Sequence, residues 1–395
     1  MRTPTAEELR QFAGLGHVTM ARPAVQPGPG VANAPASAAT IPHPLPTPEP
    51  VVLADRPDGT VVRIGDIVSK AHAPGIDPTA LTARLHVAAH PRLHGVLLPP
   101  LPVSRDGGLL GRLHDGRAAS LWPSGRPVAP DDPAAAPWEE AAVLLARLHS
   151  TPLAELALPG SVPPMCGPAK AARAMARLRV ASVSPAARDA VEGAWHGLPP
   201  WARDEAPAGA AAAPHAGCVG NARIDLAAVD RDAVDSGVDP AEVAVAAHGA
   251  AVDPAAVDRG ALCHGDWHLG QLVRHPDPDG PWLLIDVDDL GLGDPAWDLA
   301  RPAAWFAAGL LAPDVWQRFL DAYRSAGGPA VRSEGDPWPQ LDVPARALTV
   351  QTAALALVRA AAEGRVPDED EMALVEACAR IADLGSGGMS QCVMT

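Results

Sequence analysis

The segment from residue 263 to residue 298, CHGDWHLGQLVRHPDPDGPWLLIDVDDLGLGDPAWD, concentrates ionisable groups in a chain otherwise rich in alanine, proline and leucine. Within it, the strand-like runs 272–275 and 282–287 are separated by the turn sequence PDPDG. This pattern predicts a β-hairpin. Because a hairpin brings its two ends together, residues before its first strand and residues at the end of its second must lie close in space. The segment therefore constrains the fold more than any other part of the sequence.

Polar side chains that can hold a metal ion lie at both ends of this predicted hairpin. Asp266 and Gln271 precede the first strand, and Asp286 lies at the end of the second. Folding brings together two carboxylates and an amide, and Mg²⁺ prefers such oxygen ligands combined with substrate phosphates. A carboxylate that does not bind the metal can orient and deprotonate a hydroxyl group. Each piece alone is also typical of an ordinary turn or strand end, but the three at this spacing favour phosphoryl transfer.

Kinase-like phosphoryl transfer also needs a lysine on a strand of a small β-rich lobe, where it binds the nucleotide phosphates. The chain contains two lysines and 29 arginines. Lys70 lies in the predicted strand IVSKAH, whereas Lys170 begins a predicted helix. An ammonium and a guanidinium bind phosphate differently, so a strand lysine in an arginine-rich chain is notable. We predict that Lys70 binds the phosphates; the alternative is a solvated residue on an edge strand.

The first third of the chain changes from a tail to a small sheet. Residues 1–50 are rich in proline and alanine and predict a disordered tail, in which Thr5 and Glu8 have capping-box spacing for a short helix. Residues 51–122 alternate short β-runs with turns and predict an antiparallel sheet with one helix, capped by Asp77. The predicted strands are 51–54, 60–64, 67–72, 95–99, 109–113 and 117–122.

Helical periodicity dominates residues 123–390, so the pattern predicts an α+β protein with a small β-rich lobe followed by a larger, mainly helical lobe. Residues 203–258 are rich in Ala, Asp and Val, with several Gly and Pro, and predict an insertion. The predicted helices are 137–150, 167–195, 295–311, 314–326, 343–363 and 368–384.

The charge and cysteine content argue against several classes of partner. A net charge of −15 argues against binding to nucleic acid or an anionic membrane; it suits a cationic small molecule, although acidity also serves solubility. The five cysteines contain no CxxC pair, which argues against a zinc knuckle or disulfide framework and favours a reducing cytoplasm. No apolar signal region begins the sequence, and the uncharged stretch 302–313 is too short to cross a bilayer. We expect a cytoplasmic protein; the sequence does not indicate its oligomeric state.

The motif HGDWHLGQ at 264–271, followed by LLIDVDDLGLGDPAWDLA at 283–300, resembles the aminoglycoside phosphotransferase family, within the larger group that includes choline kinases and maltokinase-like sugar kinases. The family pattern is His-Gly-Asp-x-His-x-x-Asn, then a hydrophobic strand ending in Asp, then Gly-Asp-Pro and Asp-Leu-Ala. Weaker similarity extends over most of residues 50–390. The resemblance implies a bilobal, protein-kinase-like α+β fold that uses ATP and Mg²⁺.

The resemblance assigns roles position by position. Asp266 matches the catalytic aspartate that orients the acceptor hydroxyl, and Asp286 matches the aspartate that binds Mg²⁺. Gln271 stands where the metal-binding Asn usually lies, and this HLGQ spelling is closer to the maltokinase-like branch. Lys70 matches the lysine that contacts the ATP phosphates. The resemblance also implies that the hinge at 119–123 contacts adenine, through Ser120, Leu121 and Trp122.

Five further polar residues around the motif are expected to support it. His264 is expected to brace the catalytic loop, and His268 to hydrogen-bond to backbone or to an aspartate in the same turn. Asp294 is expected to cap a helix, and Asp298 to brace the catalytic loop. Asp288 is either an extra metal ligand or a solvated neighbour.

Two departures from the family pattern stand out. The helix after Lys70 usually supplies a glutamate that pairs with the lysine, but its sequence here, DPTALTARLHVAA, contains only Asp77 as an acid. No glycine-rich GxGxxG loop covers the phosphates, although members of this family often lack that loop. The first departure leaves open what positions Lys70.

The sequence thus predicts a kinase that phosphorylates a hydroxyl of an aminoglycoside, an amino sugar or a sugar, with antibiotic resistance as the role in the first case. The acidic balance suits an amine-bearing acceptor, and the HLGQ spelling suits a neutral sugar. Four tryptophans either stack on the acceptor or pack in the core: Trp297, Trp305, Trp316 and Trp338. The alternative is a nucleotide-binding pseudokinase that acts as a regulatory or partner-binding module. A protein kinase fits less well, because HGD and GDPAWD replace HRD and an activation loop ending in APE.

Overall fold

The computed structural model describes residues 8–9, 11–13, 48–56, 59–129, 136–205 and 260–390. These residues divide into two compact units, one within Met1–Gly75 and Pro99–Ser124 and the other within Ile76–Leu98 and Gly125–Thr395. The insertion predicted at 203–258 lies, beyond residue 205, outside the described residues.

The first unit is built on an antiparallel sheet. Its described strands are β1 (Val51–Arg56), β2 (Gly59–Ile64), β3 (Ile67–Ala71), β4 (Gly111–Arg112) and β5 (Ala118–Pro123). Their order across the sheet is β1-β2-β3-β5-β4, and every neighbouring pair is antiparallel. The predicted three-strand meander is confirmed, and β5 confirms the strand predicted at 117–122.

Strand alternation decides which side chains of this sheet face the core. On β3, Ile67 and Ala71 are buried in the apolar cluster of the unit. Lys70 is opposite Ser120 in the β3–β5 register, so both side chains lie on the other face of the sheet. The lysine ammonium is thus directed away from the apolar core.

A short helical segment near the N-terminus closes this apolar core. Residues 8–9 and 11–13 are helical, and Leu9, Phe12 and Ala13 are buried against the sheet. A Cβ on Gly111 would lie only 2.5 Å from the Phe12 ring, so the glycine on β4 makes room for it. These residues fall within the predicted tail, at the short helix expected from the spacing of Thr5 and Glu8, and their apolar side chains complete the core.

Two predicted strands of this region are shorter or absent. Residues 95–99 form bridges rather than a strand: the Leu98 amide donates to the Leu284 carbonyl, and the Leu284 amide donates to the Val96 carbonyl, both at 2.9 Å. Pro99 and Pro100 follow directly and lack the N–H groups that would extend the pairing. The strand predicted at 109–113 is reduced to β4.

Helix α1 (Pro78–Ala89) begins as predicted, with the Asp77 carboxylate accepting a hydrogen bond from the Thr79 amide at 2.8 Å. The sequence places this helix in the small lobe, but in the structure it groups with the helical unit. Arg84 explains the grouping, because its buried guanidinium donates from Nε to the Leu290 carbonyl at 2.7 Å. The helix is therefore tied to the loop that follows Asp286.

Seven more helices are described in the second unit. They are α2 (Trp138–His149), α3 (Gly167–Val180), α4 (Pro185–His196), α5 (Ala296–Ala307), α6 (Pro313–Ser325), α7 (Trp338–Glu363) and α8 (Glu369–Ser390). Their positions confirm the helical predictions, except that Pro185 begins a new helix and divides the stretch predicted at 167–195. Helix α7 is long and apolar enough to cross a membrane, but 72% of its most apolar window is buried within the protein.

The predicted hairpin is present as β8 (Leu272–Arg274) and β9 (Trp282–Leu284), with Leu272 opposite Leu284. Strand β6 (Arg126–Pro127) extends this ribbon beside β8. A separate pair, β7 (Ala261–Cys263) and β10 (Gly291–Gly293), flanks it in sequence. These two ribbons hold both ends of the loop 264–271 and the start of the loop after β9.

The predicted fold class is confirmed: the described residues form a small antiparallel β unit and a larger, mainly helical unit. The cysteines differ from the expectation that all are reduced. Cys263 and Cys378 are buried free thiols, whereas Cys166 is disulfide-bonded.

We predict that Leu9→Ala weakens the β unit, because it removes a fully buried side chain and leaves a cavity, at a cost of about 2–5 kcal/mol. Hydrogen exchange of peptides covering β2 and β3 measures the change. Val52→Ala is the matched control, since Val52 is 53% exposed, and should alter protection by less than about 0.5 kcal/mol. Equal protection in the wild type and in Leu9→Ala would contradict the packing of this segment on the sheet.

Candidate active site

The loop from His264 to Gln271 is held in shape by one buried carboxylate. Asp298 accepts hydrogen bonds from the backbone amides of His264 at 2.5 Å and of Gly265 at 2.8 Å. Gly265 has a φ of +83°, and a Cβ there would lie 2.2 Å from the Asp289 carbonyl oxygen. Only glycine fits this turn, which explains the second letter of the HGD motif.

A chain of buried hydrogen bonds anchors Asp298 in turn. His149 on α2 contacts the Asp298 carboxylate through Nε2 at 2.9 Å and the Tyr323 hydroxyl through Nδ1 at 2.7 Å. The Tyr323 hydroxyl also accepts from the Ala330 amide at 3.0 Å. Burial alone would raise the pKa of Asp298, but the hydrogen bond from His149 and the charges nearby lower it. Asp298 is therefore an ionised brace for the loop.

The Lys170 ammonium lies between two carboxylates, those of Asp266 and Asp289. Lys170, on the first turns of α3, places Nζ 2.6 Å from an oxygen of Asp266 and 2.7 Å from an oxygen of Asp289. All three side chains are nearly enclosed, with 5%, 10% and 11% of their surfaces exposed. Burial alone would lower the pKa of Lys170, but attraction to the two carboxylates outweighs it and raises the pKa. The ammonium is thus charged.

Arg301 on α5 fixes the second oxygen of Asp266. Its terminal nitrogen donates to that oxygen at 3.0 Å, and its Nε donates to the Trp267 carbonyl at 3.2 Å. Burial alone would raise the pKa of Asp266, but Lys170 and Arg301 lower it well below the ordinary value. Burial raises the pKa of Asp289 and outweighs the attraction of Lys170, and Asp266 repels it. Asp266 is therefore the more acidic carboxylate of the pair.

Gln271 and Asp286 lie side by side, as the hairpin predicts. The Gln271 amide nitrogen is 3.4 Å from an Asp286 carboxylate oxygen, and the Ile285 amide donates to the Gln271 carbonyl at 3.0 Å. His264 Nε2 lies 2.7 Å from the Ile285 carbonyl oxygen, which ties the loop to the residue before Asp286. Asp286 has a φ of +63°, an uncommon conformation for a residue other than glycine and one that clusters at functional sites.

The donor set at this point fits a hard divalent cation. A carboxylate from Asp286 and an amide oxygen from Gln271, after rotation of its side chain, are ligand types that Mg²⁺ accepts. Asp266 and Asp286 both act electrostatically on Asp289 and on His268, so these side chains share one electrostatic environment. The structure thus places Gln271 in contact with Asp286, and Asp266 and Asp286 within electrostatic range of the same two side chains.

His268 is neutral in this environment. Its Nδ1 accepts a hydrogen bond from the Gly270 amide at 3.1 Å, so that nitrogen carries no proton. Burial, followed by repulsion from Arg301, lowers the pKa of His268 to about 4. The imidazole therefore shapes the turn between Asp266 and Gln271 without adding positive charge at neutral pH.

Two other acids of the motif lie on the loop after β9 or beyond it. Asp288, in the short turn Val287–Asp289, attracts the Arg84 guanidinium. Asp294 accepts a hydrogen bond from the Ala296 amide at 2.9 Å at the start of α5, and burial raises its pKa. Asp294 thus lies where a helix cap is expected.

The residues predicted to bind nucleotide lie in the β unit. Lys70 and Ser120 are paired across β3 and β5, and Trp122 lies two residues further along the same face. Ser120 Oγ accepts from Trp122 Nε1 at 2.9 Å and lies 2.8 Å from His72 Nε2. The Leu121 carbonyl accepts from the Leu101 amide at 2.7 Å, so this backbone group already has a protein partner.

Three of the four tryptophans proposed for stacking are core residues. Trp297, Trp305 and Trp316 are 4%, 8% and 4% exposed, so they pack inside the helical unit. An aromatic cluster does lie under the catalytic loop: the Trp267 ring stacks on Phe319 with 5.5 Å between ring centroids. This cluster gives the loop 264–271 a rigid base.

Sequence reasoning missed Asp289 and Arg301 and gave Lys170 no role. The signal for Lys170 was its rarity, since it is one of two lysines in the chain. Arg301 could have been found because it follows Asp298 by three residues and so lies on the same helical face. Asp289 carried no separate signal, because three aspartates within four residues are also typical of a solvated turn.

Comparison with known proteins was made on the sequence and on the structure. No family model and no curated protein matches the sequence. A solved choline/ethanolamine kinase family protein from Mesorhizobium loti is 16% identical, with a TM-score of 0.44 over 85% of this chain and 87% of its own. A thermostable mutant of an aminoglycoside phosphotransferase is 13% identical, with a TM-score of 0.49 over 86% and 96%. An aminoglycoside phosphotransferase from Alicyclobacillus acidocaldarius is 15% identical, with a TM-score of 0.45 over 91% and 98%.

We predict that His268 stays neutral down to mildly acidic pH, because its pKa is lowered to about 4. A pH titration of the imidazole nitrogens by NMR measures this, with the His268 signal identified by its loss in His268→Gln. The reference is the ordinary pKa of a histidine in a model peptide, about 6.5. Titration of His268 near that value would contradict the buried, Gly270-bonded ring.

Proposed function

We propose that this chain, whose fold is of the kinase-like phosphotransferase type, transfers the γ-phosphate of ATP to a hydroxyl of a small polar molecule, in the presence of Mg²⁺. The acceptor class is an aminoglycoside, an amino sugar or a sugar. The observation that carries the proposal is the fixed Asp266 carboxylate beside the Gln271–Asp286 pair. Burying an aspartate and two cations near further acidic residues is costly, because these charges lose their hydration. Such burial is typical of a functional site.

Asp266 is the catalytic residue of this proposal. Its carboxylate is ionised and locked by Lys170 and Arg301, so it can accept a hydrogen bond from the acceptor hydroxyl and aim the oxygen. Because its pKa is lowered, Asp266 is a weak base and its main contribution is orientation. The acceptor oxygen forms the new bond to the γ-phosphorus, the bond to the β–γ bridging oxygen breaks, and ADP leaves. The hydroxyl proton passes through Asp266 to solvent.

Gln271 and Asp286 are the proposed holders of Mg²⁺. When bound, the ion neutralises charge on the phosphate oxygens. Asp286 is fixed by its left-handed backbone and by the contact with Gln271, whose side chain would rotate to offer its amide oxygen. Asp288 is a further candidate ligand.

Lys70, Ser120, Leu121 and Trp122 are the proposed nucleotide contacts. The lysine, Ser120 and Trp122 share the sheet face opposite the apolar core. The usual glutamate on α1 is absent; at its centre α1 carries Arg84, which binds the Leu290 carbonyl. The helix therefore supports the loop after Asp286 rather than supplying an acid for Lys70.

A second candidate function is a nucleotide-binding pseudokinase. The observation that favours it is that both oxygens of Asp266 already have protein cations as partners, which an acceptor hydroxyl must share. A carboxylate oxygen has two lone pairs, so sharing is geometrically allowed. Binding of MgATP without transfer to any acceptor would favour the pseudokinase.

We predict that Asp266→Asn lowers phosphate transfer by at least about 10²-fold while MgATP still binds, because the amide cannot accept the hydroxyl proton. Transfer of labelled γ-phosphate to a panel of aminoglycosides, amino sugars and sugars measures activity, and calorimetry measures MgATP binding. Asp277→Asn is the matched control: this aspartate lies on the hairpin turn with 57% of its side chain exposed. Near-normal transfer by Asp266→Asn would refute the assignment.

A further inference from the structure

Two buried cations contact the carboxylate of Asp266. The protein carries a net charge of −15, yet the two oxygens of Asp266 are occupied by Lys170 at 2.6 Å and Arg301 at 3.0 Å. Both cations are themselves buried, each with 5% of its side chain exposed. Charges held in such an enclosed place are weakly screened by salt and solvent. An acceptor that reaches Asp266 therefore comes close to two cations, although the chain as a whole is acidic.

A third cation lies one turn further along α3. Arg173 is partly buried, and one of its terminal nitrogens is enclosed without a hydrogen-bond partner among the described residues. Asp289 attracts this guanidinium, which places Arg173 in the same electrostatic environment as Lys170. A guanidinium with an enclosed, unpartnered nitrogen is suited to a carboxylate or phosphate group of a ligand.

The position of these cations restricts the acceptor. A hydroxyl that reacts under the control of Asp266 must come within hydrogen-bond distance of its carboxylate. It then also comes close to the Lys170 ammonium and the Arg301 guanidinium. An ammonium group beside that hydroxyl would be repelled by both cations, and it would have to share Asp266 and Asp289 with Lys170.

Resting on the proposed function, we infer that the acceptor is a neutral or anionic polyhydroxy compound and not a polycationic one such as an aminoglycoside. Lys170 sets this preference by filling the place that an acceptor amine would take, and Arg173 adds a contact for an acceptor anion. This choice favours the sugar over the amine-bearing acceptors within the proposed class.

A series of sugars that share one ring and differ in charge tests the inference. Glucosamine, N-acetylglucosamine, glucose and glucuronate give cationic, neutral and anionic members, and kanamycin is added as a polycation. We expect kcat/KM of phosphate transfer to be at least tenfold higher for the best neutral or anionic member than for glucosamine or kanamycin. A preference for either cationic compound, or no transfer to any neutral or anionic member, would overturn the inference.

Variants on α3 separate an effect of charge on substrate preference from a structural loss that lowers activity on all substrates equally. Lys170→Met should lower transfer overall and reduce the preference for glucuronate over glucosamine at least tenfold, because a purely structural loss would lower both equally. Arg173→Met, at a less buried site, should weaken glucuronate relative to glucose. Arg179→Met is the control, since Arg179 is on the same helix, 47% exposed and near Glu192. An unchanged ratio in Arg173→Met together with a cationic preference in the wild type would contradict the inference.

The two proposals fail in different ways. MgATP binding without transfer to any compound of the series or of the wider panel would overturn both the phosphotransferase function and the inference. Transfer that favours kanamycin or glucosamine would leave the function standing and overturn only the charge preference. Transfer that favours glucose or glucuronate supports both.

Discussion

The Lys170 ammonium, shared between Asp266 and Asp289, is the interaction on which the rest of the site depends. Removing one member of a buried charged group costs about 3–5 kcal/mol, because its partners stay buried without compensation. The shared ammonium joins the start of α3 to the loop 264–271 and to the loop after β9. It keeps Asp266 ionised and fixed, so the residue can orient a hydroxyl but is a weak base.

The site is assembled from parts that are far apart in the sequence, and each is anchored by its own buried polar contact. Asp298, on α5, holds the backbone of the loop at His264 and Gly265 and is itself held by His149 and Tyr323. The hairpin then sets Gln271 beside Asp286. This arrangement leaves little freedom in the site, which suits a reaction in which the protein mainly positions groups and neutralises charge.

Local patterns in the sequence predicted much of this structure. The hairpin, the β3 strand with Lys70 and most helices followed from periodicity and turn chemistry, because those signals lie within a few residues. The buried segment around Leu9 and Phe12 was missed because its partners are distant strands. The role of Lys170 was missed for the same reason: more than 90 residues separate Lys170 from Asp266.

The most direct test of this account is a crystal structure with Mn²⁺ and a non-hydrolysable ATP analogue, in which anomalous scattering locates the metal. We expect the manganese to bind oxygens of Gln271 and Asp286, with Lys170 still in contact with Asp266. Manganese bound by other residues, or Asp266 turned away from Lys170 and from the bound nucleotide, would contradict the account.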